Sequence, residues 1–183
     1  MSLYRHVASK DELQVFMMDA AVGEAPPVDP AEDWRAGLVR WTRELRAVYF
    51  RHPWILHIPM TGPPLEPGQL AWVESALRML DPTGLRPDEK MAVALTILSF
   101  ARGDAQLSLS LLEARRRAGI TEKEMDERYA RTLRSLLDAD RFPALTAVFE
   151  AAEPGADDQF TFGLERVLDG VEALIRSRSP AQP

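Results

Sequence analysis

Every strong hydrophobic pattern in this chain repeats at the helical period, and no stretch alternates polar and apolar residues for long enough to make a half-buried strand. Such a chain can bury its apolar stripes only helix against helix, so the spacing predicts an all-α helical bundle with about eight helices. Ser9 and Glu12 have the spacing of a capping box and Gly23 that of a stop, which predicts a helix over 10–22. The connector Ala25-Pro26-Pro27-Val28-Asp29-Pro30 leads to a helix over 31–52, with Asp29 as its cap and Pro30 in its first turn. That helix puts Trp34, Leu38, Trp41, Leu45, Val48, Tyr49 and His52 on one stripe and ends at Pro53. Helices over 69–80, 88–118, 122–138, 144–151 and 157–177 follow, the fourth of these seven the longest and the fifth opened by a second capping box at Thr121 and Glu124.

Composition closes off several kinds of chemistry. With 183 residues, 46% of them hydrophobic, the chain can build a core without staples. Having no cysteine, it has no thiol nucleophile, iron–sulfur cluster or cysteine-bound zinc. Its net charge of −6 excludes a polyanion-binding body, so any contact with nucleic acid must be local. The longest nearly apolar run, 91–101, is too short to cross a membrane, and the first residues lack the pattern of a secretory signal, so the expected location is the cytoplasm.

Few residues have the pattern of reactive chemistry. His6, His52 and His57 form no metal-spaced set, and the acid pairs at 122/124 and 157/158 sit where helix dipoles account for them. No metal, cofactor or catalytic residue is expected. The helix over 88–118 is apolar around most of its circumference, which predicts burial on most of its faces, and Arg102, Asp104 and Gln106 interrupt it. Taken singly, Arg102 and Asp104 read most simply as partners of other helices; taken with Trp54, His57, Trp72 and Phe100 they suggest the lining of a ligand pocket between the helices over 31–52, 69–80 and 88–118. The apolar residues of the last helix, Leu164, Leu168, Val171, Leu174 and Ile175, with Leu107 and Leu111 late in the long one, are expected to form a two-fold homodimer interface shaped as a four-helix bundle.

The segment Ser2-Leu3-Tyr4-Arg5-His6-Val7-Ala8-Ser9-Lys10-Asp11-Glu12-Leu13 resembles the end of the recognition helix and the start of the next helix in tetracycline-repressor-type (TetR family) regulators. Leu3, Tyr4, His6, Val7, Lys10 and Leu13 all fall on that pattern. Weaker similarity to effector-binding domains of such repressors runs through 85–90, 100–103 and 162–170, so the likeness covers nearly the whole chain. It implies that residues 1–9 are the remnant of a helix-turn-helix domain and 10–183 an effector-binding and dimerisation domain. It also implies that Ser2, Tyr4, Arg5, His6 and Lys10 face DNA, with Tyr4 and Lys10 on phosphates. The function implied is a ligand-responsive repressor that meets a small-molecule effector, and operator DNA when the full N-terminal domain is present. The alternative is a DNA-independent helical dimer that binds a small hydrophobic ligand or a partner protein.

Overall fold

A computed structural model describes residues 9–59, 65–151 and 159–178. Among these it has seven α-helices and two 3₁₀ turns and no strand: α1 Lys10–Val22, α2 Trp34–Arg51, a 3₁₀ turn Pro53–His57, α3 Pro67–Met79, a 3₁₀ turn Asp81–Thr83, α4 Pro87–Ala118, α5 Glu122–Leu136, α6 Pro143–Ala151 and α7 Gln159–Arg178. The fold is all-α, as the periodicity requires. No described helix is long and apolar enough to cross a membrane.

Local signals set most helix ends. The Ser9 hydroxyl accepts from the Glu12 N–H at 3.1 Å, and Gly23 stops α1 at a φ of 68°. Thr121 and Glu124 complete a reciprocal capping box, and the N–H and hydroxyl of Thr121 hold the Glu124 carboxyl below its ordinary range. At the end of α4, Gly119 takes a φ of 65° and its N–H reaches the Arg116 carbonyl at 3.2 Å, while that of Ile120 reaches Arg115 at 3.3 Å. A side chain at Gly119 would strain this left-handed stop.

Two expectations require correction. The second helix begins at Trp34, not 31. Asp33 caps it by accepting from the Ala36 N–H at 2.8 Å, whereas Asp29 spends its carboxylate on Ala31 at 2.9 Å and closes a turn ahead of the helix. The long helix α4 is not buried on most faces. Val93, Ala94, Ile97, Ala101 and Ala105 form one buried stripe, while Met91, Leu95, Thr96, Ser99 and Gly103 are exposed. A mostly apolar helix can be read as wholly buried when its exposed positions are small or will meet something outside the chain.

The chain divides into two compact units, with boundaries inside α4 and inside α7. One runs to Gln106 and resumes at Gly163. Its core is the predicted stripe of α2, with Leu38, Trp41, Leu45, Val48 and Tyr49 all buried, against Trp72, Ala76 and Met79 of α3 and the buried stripe of α4. Leu164, Leu168 and Val171 of α7 are buried within the single chain and so serve its own core. Arg35 of α2 ties α7 down through Glu165, Asp169 at 2.7 Å and Glu172 at 3.3 Å. The bonds from Arg35 and Arg166 keep the Asp169 carboxyl below its usual range. Phe100 lies so close to Gly163 that a Cβ there would come within 2.6 Å of its ring. The other unit, 107–162, joins the end of α4 to α5 and α6. Arg115 pairs with Glu122 at 2.9 Å and Arg134 sits over the Phe149 ring. Neither α5 nor α6 buries a residue, and Tyr129, Leu136, Leu145 and Val148 are exposed.

Candidate functional site

The first unit contains a mainly apolar cavity of about 440 Å³, within the size range of pockets that hold small molecules. Its walls come from α1, α2, the 53–57 turn, α3 and α4. The helix α1 buries no residue, yet Val15, Met18 and Val22 recur at helical spacing on one side and turn that side to the cavity. α1 is therefore a wall with a void behind it. What ties it in place is largely polar. Its Asp19 carboxylate accepts from the Gly68 and Gln69 N–H groups at 3.2 and 2.8 Å, and its stop residue Gly23 offers a carbonyl to the Trp72 indole N–H at 3.2 Å.

The aromatic wall is held rigidly. Trp41 and Trp72 meet edge to face with ring centroids 5.6 Å apart. The Trp41 indole N–H is shared between the Trp72 carbonyl and the Ser75 hydroxyl, both at 3.0 Å, so the ring cannot turn without losing buried bonds. On the far wall Arg102 of α4 donates from Nη2 to the Leu56 and Ile58 carbonyls, each at 3.1 Å. The Tyr49 hydroxyl stands beside it. Burial pushes the Tyr49 phenol above its ordinary value, and the neighbouring Arg102 charge and hydrogen bond pull part of the way back. Glu12, Glu66 and Gln69 complete the polar part of the lining.

Of the six residues singled out for a pocket, the structure brings Trp72 and Arg102 into the lining of this cavity. Trp54 is 36% exposed and packs edge to face on His52, His57 is exposed, and Phe100 faces Gly163. Asp104 is bound to Arg46 at 2.6 Å, the plain structural pairing. Trp41, Tyr49 and the inner side of α1 were not singled out. The 15, 18, 22 spacing was readable, but nothing local says that this stripe meets a space rather than a side chain. Lys10 is exposed in the first turn of α1, and Ser2, Tyr4, Arg5 and His6 lie outside the described residues. Among the described residues no group of three or more acids and histidines is placed to hold a metal.

The sequence profile described as Tetracyclin repressor-like, C-terminal domain matches residues 26–175. The chain belongs to this family. It is 35% identical over 182 residues to the HTH-type transcriptional repressor DrrR1 of Streptomyces coeruleorubidus, covering 97% of this chain and 67% of that protein. It is 28% identical to an HTH-type transcriptional regulator of Saccharopolyspora erythraea, over 94% of this chain and 70% of the relative. Among solved structures it is similar to the Streptomyces coelicolor TetR family protein ActR in complex with actinorhodin, with a TM-score of 0.73, 25% identity and coverage of 94% of this chain and 80% of that one. The chain is thus a transcriptional regulator of the ligand-responsive TetR type, and the family match takes in α2 to α6 and most of α7.

Proposed function

We propose that the cavity behind α1 is the effector site of a repressor that acts in the cytoplasm as a homodimer on operator DNA. The observation that carries this reading is that α1 is both a wall of the cavity and the helix that directly follows residues 1–9, which match the end of a recognition helix. An occupant that packs against Val15, Met18 and Val22 favours one placement of α1 over another and so shifts the spacing of the two reading heads. ActR, whose crystal structure contains actinorhodin, lends support from a related fold. Ser2, Tyr4, Arg5, His6 and Lys10 are proposed to face DNA, and residues 10–183 to form the effector and dimer domain.

Dimerisation is proposed through α4 and α7. Leu174 and Ile175 remain only half-buried, and at Gly103 and Gly170 an added Cβ would meet nothing within 4 Å, which leaves room for a second copy's helices to approach closely. Leu107 and Leu111 are exposed in the other unit. Light scattering should return about twice the 20.5 kDa chain mass.

Filling the cavity separates effector response from DNA binding. In a mobility-shift titration with protein that carries a complete helix-turn-helix, a planar aromatic compound that quenches Trp41 and Trp72 fluorescence should release operator. Leu98→Trp, which places a bulky ring in the void, should still bind operator and ignore the compound. Release that survives in Leu98→Trp would move the effector site elsewhere.

A further inference from the structure

We propose that the effector carries an acidic oxygen, a carboxylate or a phenolate, on an aromatic frame, and that Arg102 selects it; the inference rests on reading the cavity as the effector site. In the same unit Arg35, Arg40, Arg46, Arg86, Arg166 and Arg178 each have a carboxylate partner, and Arg43, Arg51, Arg78 and Arg176 are exposed to solvent, whereas Arg102 is half-buried. Arg102 has none among the described residues: its bonds go to two main-chain carbonyls and to Tyr49. Neutral acceptors hold a guanidinium in place but do not cancel its charge.

The donor count points the same way. A guanidinium has five N–H donors; Nη2 uses its two on Leu56 and Ile58, and Tyr49 takes at most one. The donors left are on Nη1 and Nε; because both forks of a guanidinium use Nη2, an acidic oxygen there accepts a single charge-assisted bond. Around the cation the wall is apolar, with Leu95, Leu98, Ile55 and Ile58, so a bond formed there is stronger than one in water. The carbonyl anchors fix its direction before any ligand arrives, which lowers the ordering cost of binding. Glu12 and Glu66 in the same lining disfavour a ligand that is acidic throughout, leaving the Arg102 side as the place for a single acidic group on a flat apolar frame that lies along the rest of the lining beside Trp72.

The experiment uses three probes on one frame: anthracene-9-carboxylate, the neutral 9-anthracenemethanol and the cationic 9-(aminomethyl)anthracene, titrated at neutral pH by tryptophan quenching and by calorimetry. The carboxylate should bind about tenfold or more tightly than the alcohol, as a charge-assisted bond in a mainly apolar wall would give. Arg102→Gln should erase that preference, the carboxylate losing about tenfold more affinity than the alcohol. Arg102→Lys, which keeps the charge but not the carbonyl-anchored guanidinium, should retain part of it, and this variant carries the test if Arg102→Gln melts early. Equal affinity for carboxylate and alcohol would overturn the selectivity and leave the cavity reading standing. Tighter binding of the amine would overturn it in favour of Glu12 and Glu66. If no probe bound at all, the cavity reading would fall, and this inference with it.

Discussion

Trp41→Ala should lower the stability of the protein by about 3–5 kcal/mol, the range for truncating a buried tryptophan, which for a domain of this length shifts the melting midpoint by about 10 °C. Trp41 is 1% exposed and is the largest of the fully buried side chains. Its loss also removes the donor shared by Trp72 and Ser75 and opens the floor of the cavity, so no neighbour can close in without breaking its own bonds. Trp54→Ala provides the contrast. That ring is partly in solvent and touches mainly His52, so its removal should cost less than about 1 kcal/mol. Denaturant unfolding of both variants measures the difference. A Trp41→Ala protein that unfolded with Trp54→Ala would mean that α2 is not the centre of this core.

Asp19→Ala should release α1 with little change in global unfolding. The helix α3 opens on Pro67, which has no N–H, and Glu66 ahead of it makes no side-chain cap, so the orphan donors at Gly68 and Gln69 depend on a carboxylate from another helix. Gly68 is matched to that role, since a Cβ there would lie 2.7 Å from the Asp19 oxygen. Loss of the carboxylate leaves both donors unpaired in a half-buried setting, a local cost of about 2 kcal/mol, which corresponds to roughly thirtyfold faster amide exchange along α1. Because α1 buries no side chain, the melting midpoint should hardly move. Asp19→Asn, which keeps one acceptor, should fall between, and Gly68→Ala should mimic Asp19→Ala by pushing the carboxylate away. Unchanged exchange in Asp19→Ala would show that the apolar side of α1, not this bond pair, holds it.

Much of the helical order was legible because its causes are local. The Ser9 and Thr121 caps, the Gly23 stop and the Pro53 break act within a turn of the residues they affect, and all four lie where the spacing placed them. The α2 stripe was legible for the same reason: a run from Leu38 to Tyr49 at helical period has one side to bury. Asp29 was a harder case, since two acids four residues apart could each have capped α2 and only the path of the connector chooses between them. In α7 the seam from Leu164 to Val171 is buried in the chain's own core, which the sequence did not distinguish from a dimer seam because a regular apolar stripe has the same pattern whether it meets its own protein or a second copy.

By itself the sequence determined the class of fold, the order of its helices and the ends set by local caps and stops, the chemistry excluded by zero cysteines and the family likeness carried by residues 2–13. Each of these depends on residue type and on spacing within a few positions along the chain. Only the tertiary structure decided that Arg102 meets two carbonyls 44 and 46 residues away, that Asp104 is bound to Arg46, and that Asp19 caps a helix about 50 residues on. It also decided that the inner side of α1 faces a space. A side chain's partner across a bundle is fixed by the packing of whole helices, and a cavity is a property of the gaps between them, so neither leaves a period or a spacing in the chain.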